Sequence, residues 1–165
     1  MRSARVLFTF VFALLLVAPS LLAQQAPLTQ DQVSARLRQL YPAGADAKKD
    51  ITDAIAAAAK EHKRVLLVFG ADWCFDCFAL DYRFHQSAIE PLVDKNYEVV
   101  HVDIGRGERN VDLIKKYRIP IEKGVPSVAV LDGKGHLLYS TGQFESARRT
   151  DPQVIVHFLE TWKPV

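Results

Sequence analysis

The feature that most limits how this chain can fold is an uninterrupted apolar run, Val65 to Phe69. A strand that is apolar at every position is typical of a sheet that helices cover on both faces. Residues 97–104 form a second strand-like run, and helical patterns lie before, between and after the two runs. The chain is therefore predicted to be an α/β protein with helices on both faces of a central sheet.

Turn and cap residues define the second half of this domain. Strand-like residues 127–131 and 136–141 flank the tetrapeptide 132–135, Asp-Gly-Lys-Gly, which is a strong hairpin signal. Asp151 and Pro152 then begin a last helix, as its cap and its first residue. The predicted order is α, α, β, α, β, α, β, β, α. A strand–helix–strand unit followed by a hairpin and a closing helix predicts a mixed sheet.

Residues 1–23 have the pattern of a secretory signal peptide. Arg2 and Arg5 precede the apolar run Val6–Ala18, which as a helix would span about 20 Å of the roughly 30 Å hydrocarbon core of a bilayer. Ala23 offers a small residue for cleavage, and an uncleaved membrane anchor is the alternative. The pattern predicts a periplasmic or secreted protein, in a compartment where disulfides persist.

Charge excludes one class of partner for the exported chain. Without Arg2 and Arg5, the 21 basic residues fall to 19 and balance the 19 acidic ones. A neutral domain lacks the electrostatic footprint of a nucleic-acid binder, so no nucleic-acid partner is expected.

A helix is predicted over residues 28–41, with Thr29 as its cap and Tyr41 on its apolar face, and it is ended by Pro42 and Gly44. It precedes the strand–helix unit. Residues 24–45 are therefore predicted to form an N-terminal helical extension, and residues 46–165 the main domain.

The two cysteines, Cys74 and Cys77, follow the first strand at the start of a predicted helix. Their spacing puts both sulfurs on one helix face, near enough for a disulfide. A thiol at a helix N-terminus is stabilised as a thiolate, so Cys74 is predicted to be the nucleophile. Cys77 lies deeper in the first turn and is predicted to resolve the mixed disulfide that forms on Cys74. The pattern predicts thiol–disulfide exchange in which the cysteine pair is the redox centre, with no other cofactor.

Other uses of the pair remain open or are excluded. Haem attachment requires a histidine after the second cysteine, where Phe78 stands. A zinc or copper module would need further ligands from five histidines that show no paired spacing. A purely structural disulfide would close a loop too small to stabilise the fold much. A redox-inert scaffold, in which the pair stays oxidised, is the remaining alternative.

Residues 71–77, Ala-Asp-Trp-Cys-Phe-Asp-Cys, and residues 124–127, Gly-Val-Pro-Ser, resemble two motifs of the thioredoxin superfamily. The resemblance covers roughly residues 50–162 and is nearest to exported members such as the C-terminal domain of the transmembrane thiol–disulfide reductase. It implies a thioredoxin-like fold in which Pro126 is cis and lies beside the cysteines. It also implies that the Val125 backbone pairs with the substrate chain and that Trp73 lies beside the nucleophile.

The resemblance also implies the partners. Protein thiols and disulfides would be the substrates, and a membrane thiol donor would supply the electrons. A monomer is expected.

The chain departs from the superfamily pattern around the cysteines. Val68 stands where thioredoxin has a buried acid, and His101 where it has the paired lysine, so His101 is a candidate proton acceptor. Phe75 and Asp76 replace Gly-Pro between the cysteines. A carboxylate beside a thiolate disfavours the anion, which predicts a reducing protein. Residues 120–123 are interpreted as an insertion ahead of the proline loop.

Overall fold

The computed structural model describes residues 28–165 and has the predicted α/β architecture. Within these residues, one mixed sheet of four strands is flanked by helices on both faces. The elements are α1 (Gln30–Leu40), α2 (Ala47–Glu61), β1 (Arg64–Gly70), α3 (Phe75–Phe84), α4 (Glu90–Asn96), β2 (Tyr97–Asp103), α5 (Val111–Lys116), β3 (Ser127–Leu131), β4 (Leu137–Thr141) and α6 (Pro152–Trp162).

The sheet order is β2-β1-β3-β4, so the apolar strand β1 lies in its interior. Strand β2 runs parallel to β1, whereas β3 is antiparallel to both β1 and β4. Residues 65–69 of β1 are at most 1% exposed. Alternate residues of β1 face opposite cores, one shared with α2 and α5 and the other with α3, α4 and α6. This burial on both faces confirms what the uninterrupted apolar run predicted.

Local signals begin several elements where the sequence predicts. The Thr29 hydroxyl accepts the Gln32 backbone N–H, and the Gln32 side chain accepts the N–H of Thr29, which closes a capping box at the start of α1. Asp151 caps α6, and Pro152 is its first residue. In the hairpin, the Asp132 carboxylate accepts the backbone N–H groups of residues 134 and 136.

Helix α4 is the element that the sequence analysis missed. It covers only Glu90–Asn96, with Pro91 in its first turn, where the missing N–H is not required. A proline inside so short a segment interrupts the helical pattern, so the sequence predicted no helix between α3 and β2. The interpreted insertion forms one turn of 3-10 helix, Ile121–Lys123, and ends at Gly124.

Helix α1, from the predicted N-terminal extension, packs against α3. Its buried residue Leu37 and its C-cap, Tyr41, lie in one apolar cluster with both cysteines. The predicted signal peptide, residues 1–23, and residues 24–27 lie outside the described residues. Among residues 28–165, no helix is both long and apolar enough to span a bilayer.

Candidate active site

Cys74 and Cys77 form a disulfide at the junction of β1 and α3, with their Cα atoms 5.2 Å apart. Cys74 is the N-cap of α3, and its sulfur accepts the backbone N–H of Cys77 at 3.1 Å. The N-terminal position predicted for Cys74 is therefore observed. Because free N–H groups at a helix start favour an anion, a thiolate on Cys74 would be stabilised there. Cys77 is completely buried, and Cys74 is 4% exposed.

The proline loop lies directly beside the disulfide. The peptide bond between Val125 and Pro126 is cis, and the Val125 carbonyl oxygen is 3.5 Å from the Cys74 sulfur. The Ser127 hydroxyl donates a hydrogen bond to the Gly124 carbonyl at 2.8 Å, which ties the loop to the start of β3. The fold thus brings together two motifs that are about fifty residues apart in the sequence.

Two aromatic side chains next to the cysteines are exposed. Trp73 is 43% exposed, and its indole N–H donates to the Gly105 carbonyl at 2.8 Å. The Arg106 guanidinium carbon lies 5.9 Å from the centre of the indole ring. Phe75, between the two cysteines, is 39% exposed. Trp73 and Phe75 are therefore surface residues that a partner chain can touch.

Asp76 is bound by Arg148, which lies just before α6. Its carboxylate accepts three hydrogen bonds from Arg148, one from the backbone N–H at 2.9 Å and two from the guanidinium at 3.0 and 3.2 Å. Partial burial raises the pKa of the Asp76 carboxyl, but these hydrogen bonds outweigh burial, and its pKa lies below the ordinary value. The carboxylate is therefore ionised and partly neutralised by its partner, rather than a solvated helix residue.

This ion pair predicts an effect on the nucleophile. Replacing Arg148 with methionine leaves the Asp76 carboxylate without its counter-charge near Cys74, which disfavours the thiolate. We expect the pH midpoint of Cys74 alkylation in the reduced protein to rise by about half a unit to one unit. Arg148→Lys is the matched control, because it retains the charge and should keep the midpoint. Equal midpoints in both variants and the unsubstituted chain would show that Asp76 and Arg148 do not influence Cys74.

His101 pairs with Val68 in the register of β1 and β2, as the two departures from the superfamily pattern predict. Its Nε2 atom lies 3.4 Å from an oxygen of Asp81 but forms no hydrogen bond with any of residues 28–165. The Tyr41 ring meets the imidazole edge-on, with the ring centres 5.4 Å apart. His101 and Asp81 line one surface cleft.

Three residues of this site were not predicted from the sequence: Tyr41, Gly70 and Asp81. Tyr41 was assigned only to the apolar face of its helix, and Asp81 to no role. At Gly70, the last residue of β1, an added Cβ atom would lie 2.7 Å from the Cys77 sulfur and would also collide with the Tyr41 hydroxyl. A glycine that ends a buried strand just before a cysteine pair is the one local signal that pointed to close packing here.

Among residues 28–165, no three His, Cys, Asp or Glu side chains are grouped closely enough to hold a metal ion.

The model of a thioredoxin-like family matches residues 46–133. The chain is similar to the solved structure of a disulphide isomerase from Xylella fastidiosa Temecula1, with 39% identity, a TM-score of 0.68, and coverage of 73% of this chain and 94% of that one. No curated protein matches the chain.

Two more distant structures share the fold. The chain is 23% identical to the DsbD c-terminal domain of Neisseria meningitidis in its oxidised form, over 70% of this chain and 96% of that one, with a TM-score of 0.53. It is 17% identical to a thioredoxin from Thermus thermophilus, over 67% of this chain and 81% of that one, with a TM-score of 0.52.

Proposed function

The chain belongs to the thioredoxin-like family and is a thiol–disulfide oxidoreductase, and we propose that it reduces disulfides in exported proteins. The observation that carries this proposal is the Cys74–Cys77 disulfide at the N-terminus of α3, with the Val125 carbonyl 3.5 Å from the Cys74 sulfur. The similar Xylella protein is a disulphide isomerase, which supports protein disulfides as the substrate class.

In the proposed reaction, the Cys74 thiolate attacks a substrate disulfide. A bond forms between Cys74 and one substrate sulfur, and the other substrate sulfur leaves as a thiolate. Cys77 then attacks the Cys74 sulfur and closes the Cys74–Cys77 disulfide. The substrate sulfur that was bonded to Cys74 leaves as a second thiolate. The substrate gains two electrons and the cysteine pair loses two.

The residues around the disulfide are proposed to hold the partner. The Val125 backbone would pair with the substrate chain, and Pro126 would hold Val125 beside Cys74. Trp73 and Phe75 would contact the partner's surface, because both rings are exposed next to the sulfurs. Asp76 is proposed to act through its charge on Cys74.

A base must take the proton that Cys77 loses before it attacks. His101 is the proposed acceptor, since its Nε2 atom has no hydrogen-bond partner among residues 28–165 and its side chain lines a cleft with Asp81. Replacing His101 with alanine should alter the pH dependence of exchange, and an unchanged profile would exclude this role.

The cysteine pair is the proposed redox centre, with no other cofactor. Each turnover oxidises the pair, so another thiol protein must reduce it, and we propose a membrane thiol donor for a monomeric, exported chain. Stoichiometric zinc or copper in protein purified without chelator would favour a metal-binding module instead. Recovery of the protein only from the cytoplasm would contradict export.

We expect a reducing potential. Strong oxidants owe their potential to a stabilised reduced form, whereas here burial of both sulfurs and the ionised Asp76 offset part of the stabilisation that the helix start gives a Cys74 thiolate. Equilibration with glutathione or dithiothreitol should give a potential nearer to that of thioredoxin, about −270 mV, than to that of the strong periplasmic oxidant, about −120 mV. A value near the oxidant's would contradict the proposed direction of exchange.

A further inference from the structure

Tyr41 reaches the cysteine pair from outside the region that the family model matches, which begins at residue 46. It is the C-cap of α1, and its backbone N–H donates to the Leu37 carbonyl at 2.9 Å. Its side chain is only 2% exposed and lies in one cluster with Leu37, Cys74 and Cys77. The packing of α1 on α3 therefore holds a phenol against the buried side of the disulfide.

The Tyr41 hydroxyl and the Cys77 sulfur both border the space beside the Gly70 Cα atom. A Cβ atom on Gly70 would collide with the hydroxyl and lie 2.7 Å from the sulfur. The two groups are thus neighbours across the space left by the missing side chain. Val68 lies two residues before Gly70 on β1. Its side chain is apolar, so it contributes no polar group to this space.

The Tyr41 hydroxyl has no hydrogen-bond partner among the described residues. A buried hydroxyl in this state requires an explanation, because nearly all buried polar groups in proteins are paired. A disulfide sulfur is a weak acceptor, whereas a thiolate is negatively charged and accepts strong hydrogen bonds. Reduction of the disulfide and ionisation of Cys77 would therefore supply the partner that the hydroxyl lacks.

We propose that Tyr41 is a positioning residue for Cys77, whose hydroxyl donates a hydrogen bond to the Cys77 sulfur and favours the thiolate that resolves the mixed disulfide. This inference rests on the proposed exchange reaction. It gives Tyr41, at the end of α1 and outside the region that the family model matches, a polar contact with the resolving cysteine.

The surroundings keep the phenol protonated. Burial, and then the carboxylates of Asp81 on α3 and Asp103 on β2, raise the pKa of Tyr41. His101 on β2 faces its ring edge-on. The hydroxyl is thus a donor at every working pH and is not the base.

The step balances without a further reactant. The proton of the Cys77 thiol passes to the proposed acceptor, His101, and the Tyr41 hydroxyl keeps its own proton. The Cys77 sulfur bonds to Cys74, the bond between Cys74 and the substrate sulfur breaks, and the substrate thiolate then takes up a proton from solvent. One thiol proton is lost and one is gained.

The test uses the reduced full chain and oxidised glutathione. Attack by Cys74 forms a mixed disulfide with glutathione, and Cys77 then releases the glutathione, so mass spectrometry follows the two steps separately. Tyr41→Phe removes the hydroxyl and keeps the ring. We expect its second step to slow about tenfold and the pH midpoint of that step to rise by about one unit, with the first step changed less than twofold.

Tyr117→Phe is the matched control. Its hydroxyl is also buried and unpartnered within residues 28–165, but it lies in the core on the opposite face of the sheet. This variant should leave both steps unchanged. In the unsubstituted chain, NMR should show the Tyr41 ring carbon that bears the hydroxyl shifting on reduction, and that of Tyr117 staying in place.

Three results would count against the inference. A second step in Tyr41→Phe as fast as in the unsubstituted chain, with an unchanged pH midpoint, overturns the role of Tyr41 and leaves the proposed function intact. Tyr41 signals that do not respond to reduction also overturn it, whether or not the variant folds. A reduced unsubstituted chain that does not react with oxidised glutathione overturns the proposed function, and this inference with it.

Discussion

Replacing Cys74 with serine should abolish disulfide reduction, lowering the rate at least about a thousandfold. A serine hydroxyl is not ionised at neutral pH and cannot attack a disulfide. The fold should survive, because Cys74 is the N-cap of α3 and serine is a favoured residue at that position. The measurement is the rate of insulin reduction with dithiothreitol, compared with the circular dichroism of the same variant.

The partner cysteine provides the matched comparison. Cys77→Ala removes the resolving sulfur but leaves the nucleophile, so the first attack should proceed and mixed disulfides should accumulate on Cys74. These trapped species can be isolated and their protein partners identified. Full activity of Cys74→Ser would show that the pair is a redox-inert feature of the fold and would contradict the assigned chemistry.

Leu37→Ala should lower the free energy of unfolding by about 2–3 kcal/mol. The Leu37 side chain is 1% exposed and packs in the cluster with Tyr41 and both cysteines, so truncation leaves a cavity between α1 and the active site. Urea denaturation measures the global change, and hydrogen exchange of α1 amides measures local opening of the helix.

Leu28→Ala is the control for this variant. Leu28 lies just before α1 and is 47% exposed, so its truncation should change stability by less than about 0.5 kcal/mol. If Leu37→Ala and Leu28→Ala had equal, small effects on both unfolding and amide exchange, α1 would not be anchored on the active-site helix in solution.

Much of the fold follows from local patterns. The run Val65–Phe69 predicts a strand buried on both faces, and the Asp-Gly-Lys-Gly tetrapeptide predicts the turn between β3 and β4. Thr29 and Asp151 mark helix starts because a cap acts on backbone groups two or three residues away. Helix α4 was missed, since seven residues with a proline in the first turn carry too little periodicity to be distinguished from a loop.

The residues of the active site also divide into those that the sequence predicted and those that it did not. Cys74 and Cys77 were found from their spacing, and the position of Cys74 at the N-cap of α3 agrees with that expectation. The proline loop was assigned through resemblance to a family, not through any local pattern. The salt bridge between Asp76 and Arg148 joins residues 72 positions apart, and neither residue carries a signal for the other.

The sequence alone determined the fold class and the cysteine pair, and it predicted a nucleophile at a helix start, because these depend on periodicity, spacing and caps within a few residues. Only the tertiary structure decided that the helix before Pro42 covers the cysteines and brings a buried phenol to Cys77. The physical reason is that apolar burial is non-directional. An amphipathic stripe on α1 indicates that the helix packs against another part of the protein. Only the shape of the assembled core determines which part that is.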